Sequence, residues 1–134
     1  MIDVEVFGSE TPQGALSPNE VTGLCVRTAA RLGIEDGHVA VEFVDAARIA
    51  ELNAEHRARP TPTDVLSFPI DGVEPTPGGG APRELGDIVI CPDHTSDLRE
   101  AVVHGMLHLL GMDHETDRGE MLELQRELLL KLSR

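Results

Sequence analysis

Ile2, Val4 and Val6 alternate with Asp3 and Glu5. A two-residue period predicts a strand over 2–7 with one wet face. Ser17-Pro18 then opens a helix, since Ser caps well and Pro is tolerated in the first turn. That helix is expected to reach about Leu32 and to stop at Gly33. HVAVEFV at 38–44 reads as a second strand. Asp45 is placed to cap a helix running to about His56, with Ile49 and Leu52 inward. VLSFPI at 65–70 reads as a third strand, and Pro69 confines its end to an edge or margin. LGDIVIC at 85–91 is largely apolar and reads as a fourth, buried strand. Ser96 is expected to cap a helix over 97–110. Thr116 or Asp117 is expected to start a last amphipathic helix ending near Leu132. The order β-α-β-α-β-β-α-α predicts an α/β (α+β) fold, a small mixed four-stranded sheet packed with helices.

Residues 71–83, DGVEPTPGGGAPR, carry three prolines and three consecutive glycines. They read as an exposed loop, because too little chain follows to build a second core. The 134 residues are expected to form one domain, 1–134, and 40% of them are hydrophobic, as in a globular protein.

Composition narrows the partners. No apolar run approaches the ~18–20 residues that span a bilayer, and MIDVEVFGSE is too acidic for a secretory signal. Cys25 and Cys91 lie far apart without metal spacing and read as reduced core thiols, which points to the cytoplasm and away from membranes. Net charge is −13, from 24 acids against 11 bases. That balance argues against duplex DNA, where phosphate neutralisation dominates affinity. All the bases except Lys131 are arginine, the side chain suited to bidentate phosphate contacts. With Phe7, Phe43 and Phe68 as the only aromatics, a base-stacking platform is not expected.

The chemistry lies in HGMLHLLGMDH at 104–114. A helix turns about 100° per residue, so His104 and His108 return to one face, roughly 6 Å apart along the axis. Gly111 readily ends a helix with positive φ, and the chain then returns to bring His114 in as a third ligand. One histidine on an apolar helix is usually a satisfied core residue; three at this spacing read as metal ligands. Three protein ligands and an open position describe a catalytic zinc site. Nickel or another late divalent ion accepts the same ligands. Gly105 costs its helix about 0.8–1 kcal/mol relative to Ala. Two causes compete for it: close approach of a backbone or substrate beside His104, or helix–sheet packing. The spacing H-x-x-x-H-x-x-G-x-x-H resembles the zincin-like helix of the metzincin metalloproteases. Gly105 stands where those enzymes carry their Glu base. Asp113 is either an orienting partner for His114 or a turn residue.

Together with that run, TDVLSFP at 63–69 and LGDIVIC at 85–91 resemble the YbeY family of bacterial metal-dependent endoribonucleases. The resemblance spans about residues 48–128, and the preceding strand-helix-strand pattern is compatible. It implies that His104, His108 and His114 hold zinc. It also implies a functional arginine after Leu52-Asn53, matched by Arg57, with Arg59 the nearby alternative. A cation there would clamp a scissile phosphate and offset developing charge. The stretch between Cys91 and His104 is shorter by roughly one helix than the resemblance leads one to expect. Asp64 and Ser67 lie on the strand beside the expected site, where strand-end hydrogen bonding is the simpler role.

The function implied is a single-strand-specific, zinc-dependent endoribonuclease. It would act in ribosomal RNA maturation, at the 3′ end of the small-subunit RNA, and in ribosome quality control. Single-stranded ribosomal RNA and a ribosomal subunit or its proteins are the expected partners, and the acidic net charge favours action beside a protein. Two alternatives stand beside it. One is a zinc metallopeptidase lacking the usual Glu. The other is a non-catalytic, zinc-stabilised ribosome-assembly factor, with Asp113, His94 or a cysteine closing a four-ligand shell.

Overall fold

Alternation on each strand sets two faces, and the helices sort themselves onto them. The computed structural model describes residues 2–8, 16–58, 61, 63–71, 83–113 and 116–132. Along the chain run β1 (Ile2–Phe7), α1 (Pro18–Arg31), β2 (Gly37–Phe43), α2 (Ala46–Arg57), β3 (Val65–Pro69) and β4 (Glu84–Ile90). A single 3-10 turn, Pro92–His94, leads into α3 (Leu98–Leu109), and α4 (Glu120–Leu132) follows. The four strands lie in the order β1-β2-β4-β3, with β3 antiparallel and the rest parallel. The α/β class and the mixed sheet are as expected, and Pro69 does sit on an edge strand. No described helix is long and apolar enough to cross a membrane. The loop expected over 71–83 lies, apart from its two ends, outside the described residues.

β4 is central and supplies both faces. Ile88 and Ile90 point into the main core with Val39, Val41, α1 and α3. Val89 and Leu66 meet Ile49 of α2 in a smaller cluster with Cys91 on the other side. Each fully buried aliphatic side chain of this kind stabilises the fold by roughly 1.5–3 kcal/mol. Both cysteines are free and buried. Burial pushes the Cys25 thiol up to about 12 and raises that of Cys91 as well, which keeps both protonated and unreactive.

Two local expectations are corrected, and a third point, left open between two causes, is decided. The cap of α3 is Asp97, not Ser96: its carboxylate accepts from the amides of Arg99 and Glu100. An ionised acceptor at a helix N-terminus outcompetes a hydroxyl one residue earlier. The last helix begins at Glu120 rather than at 116 or 117. Gly119 has φ of 102°, which breaks helical geometry, and Asp117 accepts from Gly119 and Met121 across the resulting turn. Third, a Cβ on Gly105 would stand 2.6 Å from Cγ2 of Ile88. The glycine therefore lets α3 lie close on β4, and packing, not approach of a substrate, accounts for it.

His38 ties three strands together. Its Nδ1 lies 2.8 Å from the Glu84 carboxylate on β4 and its Nε2 2.6 Å from Glu5 on β1. The bond to Glu84, aided by that to Glu5 and opposed by partial burial, raises its pKa above the ordinary histidine range. A raised folded-state pKa gives stability that is complete below the unfolded value and lost as pH rises through the folded one. Urea unfolding across neutral pH should show that decline in the wild type and not in His38→Ala. Equal slopes would remove the assignment.

Candidate metal centre

His104 and His108 lie one turn apart on α3, each half-buried and flanked by buried Val103, Met106, Leu107 and Leu109. Their apolar neighbours hold the helix against the sheet, so the two rings are presented on its remaining face. The Nε2 atoms are 3.2 Å apart, with the ring planes inclined at 74°. His104 Nδ1 is 2.8 Å from the side-chain carbonyl of Gln125 on α4. An amide oxygen only accepts, so Nδ1 carries the proton and Nε2 presents a lone pair.

Those rings form one wall of a cavity of about 620 Å³. Thr63, Asp64 and Ser67 line it from the β3 side, and Met112 and Asp113 from the end of α3. Gly111 produces that second wall. It has φ of 97°, its amide donates to His108 O at 3.1 Å, and the Met112 amide reaches back to Leu107 O at 3.0 Å. This paired closure is a Schellman ending, which reverses the chain beside the helix it terminates. The Asp113 carbonyl then accepts from the amides of Thr116 and Asp117, which establishes its part in the turn. His114, the third expected ligand, lies outside the described residues, and with it any orienting role of Asp113.

The donor chemistry suits a single zinc ion. Two imidazole nitrogens, each ~2.0–2.1 Å from a tetrahedral ion, stand about 3.3 Å apart, close to the spacing here. Among the described residues no group of three or more His, Cys, Asp or Glu is gathered for a metal; two of the three expected ligands are brought together. His94 and the cysteines do not line the cavity, and protonated buried thiols are poor ligands.

Other expected residues fall as follows. Asp64 lines the cavity, and its carboxylate accepts from the Val65 amide at 2.8 Å, a strand-end bond. Ser67 donates to Gly105 O at 3.4 Å, joining β3 to α3. Arg57 closes α2; its side chain, and the whole of Arg59, lie outside the described residues. Asn53 on the same helix is buried and donates to Thr61 O at 2.9 Å. Phe68 points away, its ring 4.7 Å from that of His56.

Gln125 is the participant that sequence reasoning missed. It lies between Met121 and Leu128 on the buried stripe of α4. A polar residue at the centre of an apolar stripe is the signal that was available.

Residues 19–133 match the family model described as Endoribonuclease YbeY. Proteins named Endoribonuclease YbeY from Rubrobacter xylanophilus and Micrococcus luteus are similar throughout. The first is 39% identical over 132 residues, covering 94% of this chain and 93% of that protein. The second is 41% identical over 138 residues, covering 91% and 85%. Among solved structures, the solution structure of TM1509 from Thermotoga maritima superposes with a TM-score of 0.59 at 26% identity, over 96% of this chain and 88% of the other.

Proposed function

The chain belongs to the Endoribonuclease YbeY family, and from that premise we propose that it is a zinc-dependent endoribonuclease specific for single strands. In this reading residues 1–134 act as one hydrolase domain in the cytoplasm. The substrate is ribosomal RNA, cut during maturation of the small-subunit 3′ end and in ribosome quality control. The observation that carries the metal reading is the pair of Nε2 atoms 3.2 Å apart on the wall of a 620 Å³ cavity.

His104, His108 and His114 hold the ion, zinc by preference, though nickel or another late divalent metal suits the same donors. When bound, such an ion supplies Lewis acidity and a water acidic near neutral pH. His104 and His108 contribute as neutral donors, so the site keeps its positive charge for a phosphodiester. Arg57 contacts that phosphate and offsets charge developing on it. A concave site beside an edge strand admits a flexible single strand more readily than a stacked duplex. With a net charge of −13, unaided capture of RNA is weak. A ribosomal subunit or ribosomal protein supplies the remaining affinity.

The test is cleavage of a single-stranded ribosomal RNA fragment by the purified protein, with a casein digest run alongside. Cleavage should be lost with a chelator and restored by zinc. Arg57→Ala should keep its metal and lose cleavage by about 10²-fold or more, the scale of removing one transition-state donor. Chelator-resistant cleavage would overturn the metal's role, full activity of Arg57→Ala that of the arginine. Hydrolysis of casein instead of RNA would replace the reading with a peptidase.

A further inference from the structure

We infer that Gln125 is a positioning residue for the metal site. Its side-chain carbonyl holds His104 in the Nδ1–H tautomer, so that the Nε2 lone pair faces the cavity. The inference rests on the reading of His104 as a ligand, and it assigns α4 a part in the chemistry beyond covering the core.

Three observations carry it. The bond is short, 2.8 Å from Nδ1 to Oε1, and joins two helices across 21 positions of sequence. Gln125 is 7% exposed, between Met121 and Leu128, which are also buried. An amide buried in such a seam is costly unless its polar atoms are used, and a methionine or leucine would pack there at no such cost. The bond also acts on the correct atom. The Nε2 left unprotonated by it is the atom 3.2 Å from Nε2 of His108.

The physical consequence is a difference in readiness. An imidazole free in water favours the Nε2–H form, which carries a proton where the donor pair is required. Without Gln125 the ring must give up that form and rotate into place on each binding event. With it, proton position and ring plane are set beforehand, and the electron-rich carbonyl strengthens the ring as a donor. A mere contact between helices would use the same hydrogen bond but would leave metal affinity unaffected once the fold is intact.

Two measurements on the full chain separate these. The first is the tautomer of His104, read from long-range ¹⁵N–¹H correlations of the metal-free protein at mildly alkaline pH. The second is zinc affinity, by competition with a chromophoric chelator. The wild type should show Nδ1–H. Gln125→Met, which keeps the shape and removes the acceptor, should shift the ring toward Nε2–H and weaken zinc by about 10–100-fold. Its metal-free melting temperature should change little. Gln125→Glu should retain the tautomer and bind zinc close to wild type.

A wild-type ring already in the Nε2–H form would overturn the inference. So would a Gln125→Met protein with unaltered tautomer and affinity. If the tautomer responds as described but the wild type takes up no zinc, the orienting bond stands and the metal reading of the cavity falls.

Discussion

If the proposed site is correct, replacing His108 with alanine should abolish metal binding and ribonuclease activity while leaving the protein folded. The variant removes one of two Nε2 donors that stand 3.2 Å apart. Loss of an outer partner to a metal ligand already costs about 10–100-fold in affinity, so loss of a ligand should exceed ~100-fold. Cleavage of single-stranded RNA should fall at least as far. The fold should survive because α3 is anchored by Val102, Val103, Met106, Leu107 and Leu109, all fully buried, whereas His108 faces the cavity. Metal content, RNA cleavage and melting of the metal-free protein are the three readings. A variant that retains both zinc and activity would relocate the site. One that loses activity only because it unfolds would show it in the melting curve.

The largest effect on stability is expected at a residue without a side chain. Gly86 lies in the central strand with φ of 139°, opposite Pro69 of β3. A Cβ there would stand 2.2 Å from the Phe68 carbonyl oxygen, 2.9 Å from Cδ2 of Leu109 and 3.0 Å from Cα of Pro69. Two of these are backbone atoms, so no rotamer change relieves the contact. Either β3 separates from β4, or the end of α3 lifts beside His108. Backbone strain of ~1–3 kcal/mol and overpacking of ~1–3 kcal/mol add. Gly86→Ala should therefore lose about 3 kcal/mol or more, seen as a lower urea midpoint. It should also weaken zinc binding at the proposed site, because the same displacement reaches α3 beside His108. A loss under about 1 kcal/mol would mean that the strand pair yields without cost. Gly105 is a milder case, since the Cβ there would meet the Ile88 side chain.

Much of this was legible because the signals are local. Period-two alternation marks Ile2–Phe7 and Gly37–Phe43, and Asp45 caps α2 by accepting from Arg48. Gly111 ends α3 because positive φ is cheap for glycine. The boundaries that moved did so where neighbours compete for one role, as Ser96 and Asp97 do for the cap of α3. At the last helix the start expected at Thr116 or Asp117 moved to Glu120, because the positive φ of Gly119 interrupts helical geometry.

The long-range arrangement has a different origin. Nothing in the spacing of strands places β4 between β2 and β3, and that insertion brings Ser67 of the edge strand against Gly105 of α3. The reason for Gly105 lies in Ile88 beneath it, on a strand distant in sequence. Gln125 is a polar exception on its stripe, but its partner on α3 lies 21 residues away.

By itself, the order of residues determined the helix that carries two imidazoles on one face, the glycine that ends it and the number and kind of strands. These depend on backbone geometry over a few positions. Only the folded arrangement decided which walls enclose the cavity, which glycines permit close contact and which amide meets the His104 ring. Those depend on surfaces that meet only after the sheet has assembled.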